Sequence, residues 1–369
     1  MKISYFSFDY VPIKIQDLWK EAFSKVVDEG IFVGGPFVSK FEETFARICE
    51  TEYAIGLSNG FDGLELALRA LDIGKGDRVA VPAHTFIATW NAVIAVGAQP
   101  VGVDVGSDAQ ISCDQLKSIL DRNNISCVIP VHMHGHMSDM LRIRAMCSNQ
   151  GIPVIEDASQ AHLGQRDGVK VGEYSDITIF SLYPTKNLGA LGDAGVAVTN
   201  NESLMRRIRT LANYGSNLSS KYEHDYLGYN RRLDAIQAAI LLANLPFLVE
   251  WTEIREAHAR RYREVCEDLD IPFIKGHNGS VWHHFCVLSN RRDELRVFLE
   301  ELGIGTEVHY PRLAAKEVQH FMRIKIEEFP QAAELTRTTL SLPISQFHTK
   351  EMIEVVVHAL RLAKAKSLV

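Results

Sequence analysis

Six short apolar segments, most of them followed by a helix-forming segment, restrict the fold of this chain more than any other feature. They cover 53–57, 78–82, 100–105, 127–132, 154–157 and 177–182. Strands that alternate with helices in this way form a mostly parallel sheet that is covered on both faces. We therefore predict an α/β fold, in which ligands bind outside the carboxyl ends of the strands.

Two neighbouring strand ends carry groups of opposite charge. Asp157 ends one apolar segment, and Lys186 follows the next one after a Pro-Thr turn. A lysine beside a buried strand is unfavourable unless its charge is used or its pKa is lowered. Together the two groups suit pyridoxal phosphate, because a lysine amine can hold the aldehyde carbon while a carboxylate keeps the pyridine nitrogen protonated. Taken alone, Lys186 would more often be a surface lysine on an ordinary turn, so the prediction depends on the pair.

A turn of mostly small residues, 58–62, joins the strand at 53–57 to a helix that extends to Gly74. The free N–H groups and the positive dipole end of a helix attract anions at such a turn. The turn therefore allows a phosphate site, although a plain connection between strand and helix explains it as well.

Three motifs resemble the nucleotide-sugar aminotransferases of the DegT/DnrJ/EryC1/StrS family. They read EDASQAH at 156–162, FSLYPTKNLG at 180–189 and GYNRRLDAIQAA at 228–239. The resemblance extends from about Gly34 almost to the C-terminus. A Rossmann dehydrogenase is the obvious competing α/β protein, but no strand leads into a Gly-x-Gly-x-x-Gly turn.

The resemblance implies a fold-type-I aminotransferase that uses pyridoxal 5′-phosphate. Such an enzyme has a large, mostly parallel α/β domain, expected here at residues 1–249, and a smaller C-terminal α+β domain, expected at 250–369. The N-terminal helix from Ile15 to Glu29 is expected to pack against the smaller domain. The resemblance also implies a homodimer in which two chains share each active site.

The resemblance further implies roles for individual residues. Lys186 and Asp157 are expected to be the catalytic groups. The other expected cofactor contacts are the backbone N–H groups of Gly60, Phe61 and Asp62, the stacked ring of Phe86, Gln160 at the ring oxygen, Ser181 at the phosphate, and Asn230 across the subunit interface. The substrate-binding candidates are Tyr183, His162, Lys221 and Tyr310. After the His-Tyr-Pro motif at 309–311, the stretch 312–318 departs from the family pattern, which leaves its substrate contacts open.

By the same resemblance, the reaction moves an amino group from L-glutamate to a keto group of a nucleotide-linked sugar. The motifs look most like members that act at C3 of dTDP-linked 3-keto-6-deoxyhexoses, in deoxyamino sugar biosynthesis for polysaccharides such as O-antigen. A 4-aminotransferase of the same family is the nearest alternative. A sugar dehydratase or a non-catalytic regulatory member fits less well, because the dehydratases carry a histidine in place of the lysine and a regulatory member would have lost Lys186 or Asp157.

Composition excludes several other classes of protein. A net charge of −7 and no basic block argue against nucleic-acid or anionic-membrane partners. The N-terminus lacks the features of a signal peptide, and the most apolar stretch, Ala235 to Val249, is too short and too interrupted for a membrane span. Six scattered cysteines indicate a reduced, cytoplasmic protein. His132, His134 and His136 alternate, which is a poor spacing for a metal site, and we expect none.

Overall fold

The computed structural model describes residues 2–122, 124–217, 222–322 and 329–369. In this part of the chain the α-helices are α1 Ile13–Glu29, α2 Gly35–Ile48, α3 Gly60–Ala70, α4 Ile87–Ala95, α5 Cys113–Arg122, α6 Met140–Ser148, α7 Glu202–Ala212, α8 Ala235–Asn244, α9 Leu248–Asp268, α10 Arg292–Glu301, α11 Ala314–Met322, α12 Pro330–Thr338 and α13 Lys350–Ala365. The strands are β1 Tyr53–Leu57, β2 Arg78–Pro82, β3 Gln99–Val103, β4 Cys127–Val128, β5 Ile155–Asp157, β6 Gln165–Arg166, β7 Val169–Lys170, β8 Ile177–Ser181, β9 Gly195–Thr199, β10 Phe285–Leu288 and β11 Thr339–Leu342.

The central sheet has the order β3-β2-β4-β5-β8-β9-β1. Its two hydrogen-bonded parts, β3-β2-β4 and β5-β8-β9-β1, are joined by parallel bridges from Val128 to Val154 and from Val131 to Asp157. β9 is antiparallel to both of its neighbours. The reason is the connection from β8, which is the loop 182–194 and not a crossover helix. The other pairings are parallel, so the predicted mostly parallel sheet is confirmed.

Helices cover both faces of this sheet, and the strands are accordingly buried on both sides. All five residues of β9 and the first four of β8 are buried. Continuous apolar strands of this kind are typical of a sheet between two helical layers. A capping-box pattern in the sequence places the start of α2 at Ser39, but this is wrong. The helix begins at Gly35, where Pro36 in the first turn already has a helical φ.

The C-terminal part of the chain has a separate apolar core. The antiparallel pair β10–β11 packs with α9, α10 and α13 around Tyr262, Phe285 and Leu360. Sequence patterns predict a further strand at 305–310. This is wrong, because the segment forms only single bridges, from Ile304 to Ile3 and from Glu307 to Ser341. The domain boundary at 249/250 stays a prediction, and α9 runs across it.

The N-terminal helix α1 packs mainly on α8. Ala22 and Val26 of α1 share an apolar cluster with Ala239 and its neighbours, while the first turn of α1 reaches Trp251 through Ile15. Together α8 and α9, 235–268, are long and apolar enough to cross a membrane by length and composition alone. Half of the most apolar window is buried within the fold, where α8 lies between α1 and α2. We therefore interpret α8 as a core helix and not as a membrane span.

Candidate active site

A cavity of about 660 Å³ lies at the carboxyl ends of β5 and β8. Nine of the predicted site residues line it: Gly60, Phe61, Phe86, Asp157, Gln160, Ser181, Tyr183, Lys186 and Tyr310. They come from five stretches of the sequence, and the end of the sheet brings them together, as the strand-end argument predicts. Among the other candidates, Asp62, His162 and Asn230 do not line it, and Lys221 lies outside the described residues.

Lys186 is positioned by a tight loop after β8. Its N–H donates to the carbonyl of Tyr183 at 2.9 Å, which closes the turn. A Cβ atom at Gly189 would lie 2.5 Å from the carbonyl oxygen of Pro184, so only glycine lets the loop fold back so closely. The side chain of Lys186 is half-buried in the cavity. Burial lowers its pKa from 10.5 to about 8, although the charge of Asp157 acts in the opposite direction.

Asp157 is buried at the end of β5 and is held by neutral donors. Thr89 Oγ1 donates to one carboxylate oxygen at 2.9 Å, and the N–H of Ser159 donates to the other at 3.2 Å. Thr89 in turn lies 3.1 Å from the hydroxyl of Thr85. No ion pair to Asp157 occurs within the described ranges, so its charge remains available for a cation in the cavity. Sequence reasoning missed Thr89, although its position four residues after Thr85 places both hydroxyls on one face of the turn entering α4.

The start of α3 forms an anion site with two free N–H groups. The side chain of Asn59 caps the helix by accepting from the N–H of Asp62 at 2.8 Å. The N–H groups of Gly60 and Phe61, in the first turn, have no hydrogen-bond partner among the residues that the structure describes, and both residues line the cavity. The expected contact of Asp62 is therefore not available, because its N–H is already bonded and its carboxylate pairs with Arg231 at 3.1 Å.

Two hydroxyl groups complete the surroundings of this anion site. A Cβ atom at Gly60 would lie 3.0 Å from the Cβ of Ser181 and 3.4 Å from Ser159 Oγ. A side chain at position 60 would thus fill the space that these serines surround, and both serines line the cavity. Ser159 was missed as a candidate although it stands within the motif at 156–162.

Aromatic groups form one wall of the cavity. The rings of Phe86 and Tyr310 lie 5.4 Å apart, and 53% of Phe86 is exposed. Gln160 Nε2 donates to the hydroxyl of Tyr310 at 3.1 Å, while Gln160 Oε1 accepts from the N–H of His134. Burial, together with the charge of Asp157, raises the pKa of the Tyr310 hydroxyl, which therefore stays protonated at neutral pH. The wall is aromatic and edged by polar groups, which suits an aromatic ligand.

Comparison with known proteins agrees with this geometry. The model of the DegT/DnrJ/EryC1/StrS aminotransferase family matches residues 14–361. The chain belongs to this family. It is 40% identical over 347 residues to dTDP-3-amino-3,4,6-trideoxy-alpha-D-glucose transaminase of Streptomyces venezuelae, which covers 92% of this chain and 90% of the relative. It is 36% identical over 354 residues to dTDP-3-amino-3,6-dideoxy-alpha-D-galactopyranose transaminase of Aneurinibacillus thermoaerophilus, covering 95% and 96%.

A solved relative carries the cofactor. The structure of NtdA from Bacillus subtilis, which contains bound pyridoxamine phosphate, superposes with a TM-score of 0.92 at 28% identity, over 99% of this chain and 85% of NtdA. The predicted fold type, enzyme class and cofactor are thus confirmed: this chain is a member of a family of pyridoxal-phosphate-dependent sugar nucleotide aminotransferases. Three features of the cavity fit that cofactor. The free N–H groups of α3 suit its phosphate, the carboxylate of Asp157 suits its ring nitrogen, and the aromatic wall suits its ring.

The remaining candidates of this aminotransferase lie away from the cavity. His162 is buried with its ring 5.4 Å from that of Phe180, and burial lowers its pKa to about 3, so it is neutral and shielded from a substrate in the cavity. Asn230 is exposed on the surface of the single chain, which leaves its predicted contact with a neighbouring subunit untested.

Several residues that line the cavity come from parts of the aminotransferase without a sequence signal. Tyr5 from the N-terminus lies 2.6 Å from His284 Nδ1, and the ring of His284 stacks on that of His309 at 3.8 Å. Arg255 from α9 and His283 complete this side of the cavity. Among them, only His309 stands in a motif that sequence analysis identified.

The alternating histidines of the sequence do not converge. His132 accepts from the N–H of Ser138, His134 lies beside the thiol of Cys286, and the ring of His136 packs against Trp282. Within the ranges that the structure describes, no group of three or more histidine, cysteine, aspartate or glutamate side chains is arranged to hold a metal ion.

Proposed function

We propose that this aminotransferase transfers an amino group from L-glutamate to C3 of a dTDP-linked 3-keto-6-deoxyhexose. The observation that supports the transamination chemistry is the pair of Lys186 and Asp157 in one cavity, with the pKa of Lys186 lowered to about 8. The choice of C3 and of dTDP follows the names of the two relatives at 40% and 36% identity, both of which are transaminases of dTDP-3-amino sugars. The product is a deoxyamino sugar nucleotide, which suits polysaccharide assembly.

Several residues of the cavity have a part in holding the cofactor in this proposal. The N–H groups of Gly60 and Phe61 and the hydroxyl of Ser181 bind its phosphate, and Phe86 packs on its ring. Asp157 would pair with the ring nitrogen, and Gln160 would contact the ring oxygen. When bound, pyridoxal phosphate supplies an electron-withdrawing ring that stabilises negative charge on the carbon of the amino donor.

Lys186 does the proton transfer in this proposal. Lys186 would hold the cofactor covalently through its amine. A lysine whose pKa is near 8 is partly neutral at the pH of the cell, so its amine can accept a proton from the carbon of the amino donor and release it again. Tyr183, of which 51% is exposed, and Tyr310 line the cavity, and their hydroxyls are the proposed sugar contacts.

The homodimer is also part of this proposal. Asn230 precedes Arg231, whose guanidinium pairs with Asp62 at 3.1 Å and with Glu65 at 2.8 Å, so the exposed Asn230 is fixed to the helix that carries the anion site. Five apolar side chains of α1 and the turn after it are exposed in the single chain: Phe23, Val27, Ile31, Phe32 and Val33. An apolar surface of this kind is typical of a subunit interface.

The proposal also includes a division into two domains at 249/250. It further includes a cytoplasmic location, which the six free cysteines favour.

Two measurements test the proposed function. Borohydride treatment of the purified protein, followed by peptide mapping, should place a pyridoxyl group on Lys186, and Lys186→Ala should abolish the label. A label on another lysine would refute the assignment. Incubation with L-glutamate and a panel of keto sugars should then favour a dTDP-linked 3-keto-6-deoxyhexose over its 4-keto isomer and over UDP-linked sugars. A preference for the 4-keto isomer would refute the substrate and leave the cofactor chemistry intact.

A further inference from the structure

Arg255 is a buried cation at the cavity to which the cofactor and sugar contacts proposed above assign no role. It lies on α9, and only 1% of its surface is exposed. Its Nε donates to Gln346 Oε1 at 2.9 Å, and its Nη1 lies 3.1 to 3.3 Å from the carbonyl oxygens of Trp282, His283 and Ile344. These contacts hold the guanidinium plane in one orientation.

The second terminal nitrogen of Arg255 is different. Nη2 makes no hydrogen bond within the described residues, and Arg255 lines the cavity. No carboxylate in the same part of the chain forms an ion pair with the guanidinium. Burial lowers the pKa of Arg255 to about 10, so the group still carries its charge at neutral pH. A buried charge without a counter-ion is unfavourable unless a ligand supplies one.

The position of Arg255 relative to Lys186 indicates which ligand anion it meets. The segment 281–283 bonds Arg255 directly and bonds Asn187, the residue after Lys186. Arg255 donates to two of its carbonyl groups, while Asn187, the neighbour of Lys186, donates to the carbonyl of Val281 and bonds the ring of His283 at 3.0 Å. Burial lowers the pKa of His283, and the charges of Lys186 and Arg255 act in the same direction. Arg255 and Lys186 therefore line the same cavity and both lie close to His283.

We propose that Arg255 binds a carboxylate of the amino donor through Nη2. The inference rests on the proposed function and names the anchor of its donor. The cofactor phosphate has its own site at Gly60 and Phe61, on the other domain of the predicted pair. A nucleoside diphosphate must extend from the cavity to solvent, whereas Arg255 is almost fully buried and presents one nitrogen. A compact carboxylate beside the reacting carbon matches that single donor.

The test compares Arg255→Gln, Arg255→Lys and the wild type, all loaded with cofactor. The matched control is Arg261→Gln on the same helix, because Arg261 pairs with Glu354 at the surface and does not line the cavity. The half-reaction with L-glutamate alone is followed by the change in cofactor absorbance. Arg255→Gln should raise the half-saturating L-glutamate concentration roughly 10- to 100-fold, as the loss of a hydrogen bond to a charged group does. Arg255→Lys should recover part of this loss, and Arg261→Gln should have no effect.

Calorimetric binding of glutarate provides a readout without catalysis, because this dicarboxylate has no amino group to transfer. Wild-type protein should bind glutarate at least tenfold more tightly than Arg255→Gln. Equal binding, or no measurable binding by the wild type, would refute the role of Arg255. A rise in the half-saturating concentration of the sugar nucleotide instead of L-glutamate would also refute it. If the wild type aminates no keto sugar, the proposed function fails, and the glutarate measurement still decides the carboxylate site.

Discussion

The lowered pKa of Lys186 predicts a measurable penalty in the stability of the cofactor-free protein. An ammonium group that is desolvated in the folded state but hydrated in the unfolded chain destabilises the fold for as long as it is charged. The change from 10.5 to about 8 corresponds to roughly 3 kcal/mol, at about 1.4 kcal/mol per unit of pKa. Because the side chain is only half-buried, we expect about 2 to 3 kcal/mol.

The sign of the pH dependence follows from proton binding. Below about pH 8, Lys186 is charged in both states and the penalty is complete. Between pH 8 and 10.5 the unfolded chain binds more protons than the folded one, so wild-type stability rises with pH. Lys186→Met has no such group. Its stability advantage over the wild type should therefore shrink by about 2 to 3 kcal/mol between pH 7 and pH 10.5.

Urea unfolding of both cofactor-free proteins, at one protein concentration and several pH values, measures this difference. Taking the change with pH removes the constant effect of exchanging an amine for an apolar side chain. Lys40→Met, at an exposed position on α2, is the matched control and should show a difference from the wild type that does not vary with pH. A constant difference for Lys186→Met across the same range would show that the amine is hydrated in the folded protein, and the argument for its reactivity would fail.

Two further predictions concern the shared site. Asp157→Asn should still bind the cofactor, since the phosphate contacts are elsewhere, but should lose roughly 100- to 1,000-fold in turnover, because the ring nitrogen no longer faces a charge; near-normal turnover in steady-state assays would show that Asp157 does not face the ring. Mixing Lys186→Ala with Asn230→Ala subunits should restore activity above that of either poorly active protein alone, because some sites then combine two intact contributions, whereas a monomer in sedimentation would contradict a shared site.

The parts of the site that sequence reasoning predicted lie at strand ends of the central sheet. Asp157 and Lys186 follow adjacent parallel strands, and parallel strands must end at the same edge. The two side chains lie close together because their strands run in the same direction, and the alternation of strands and helices in the sequence predicts that direction. The first turn of α3 was predictable for a similar reason, because free N–H groups exist at every helix start. The sequence did not predict which of these N–H groups remain free, because the side chain of Asn59 accepts from the N–H of Asp62.

The other side of the cavity depends on tertiary packing and could not be predicted in this way. Arg255 lies inside an amphipathic, charge-rich helix, where its arginine neighbours form surface ion pairs. Only the packing of α9 against 282–283 and Ile344 separates it from them. Tyr5 precedes the first helix and reaches the cavity because Ile3 pairs with Ile304, a contact between opposite ends of the chain. No local pattern encodes such contacts.

The direction of β9 shows how the loop with Lys186 depends on both cores. A parallel β8–β9 pair would need a crossover helix, whereas an antiparallel pair needs only a loop, and this loop is free to bend over the sheet edge. It is then fixed from the other side, because Asn187 is buried and bonds Val281 and His283. The loop that carries Lys186 therefore contacts both parts of the chain. The sheet sets the position of Lys186 relative to Asp157, and the segment 281–283 contacts both Asn187 and Arg255, so in the proposed function both parts of the chain are needed to build the site for the amino donor.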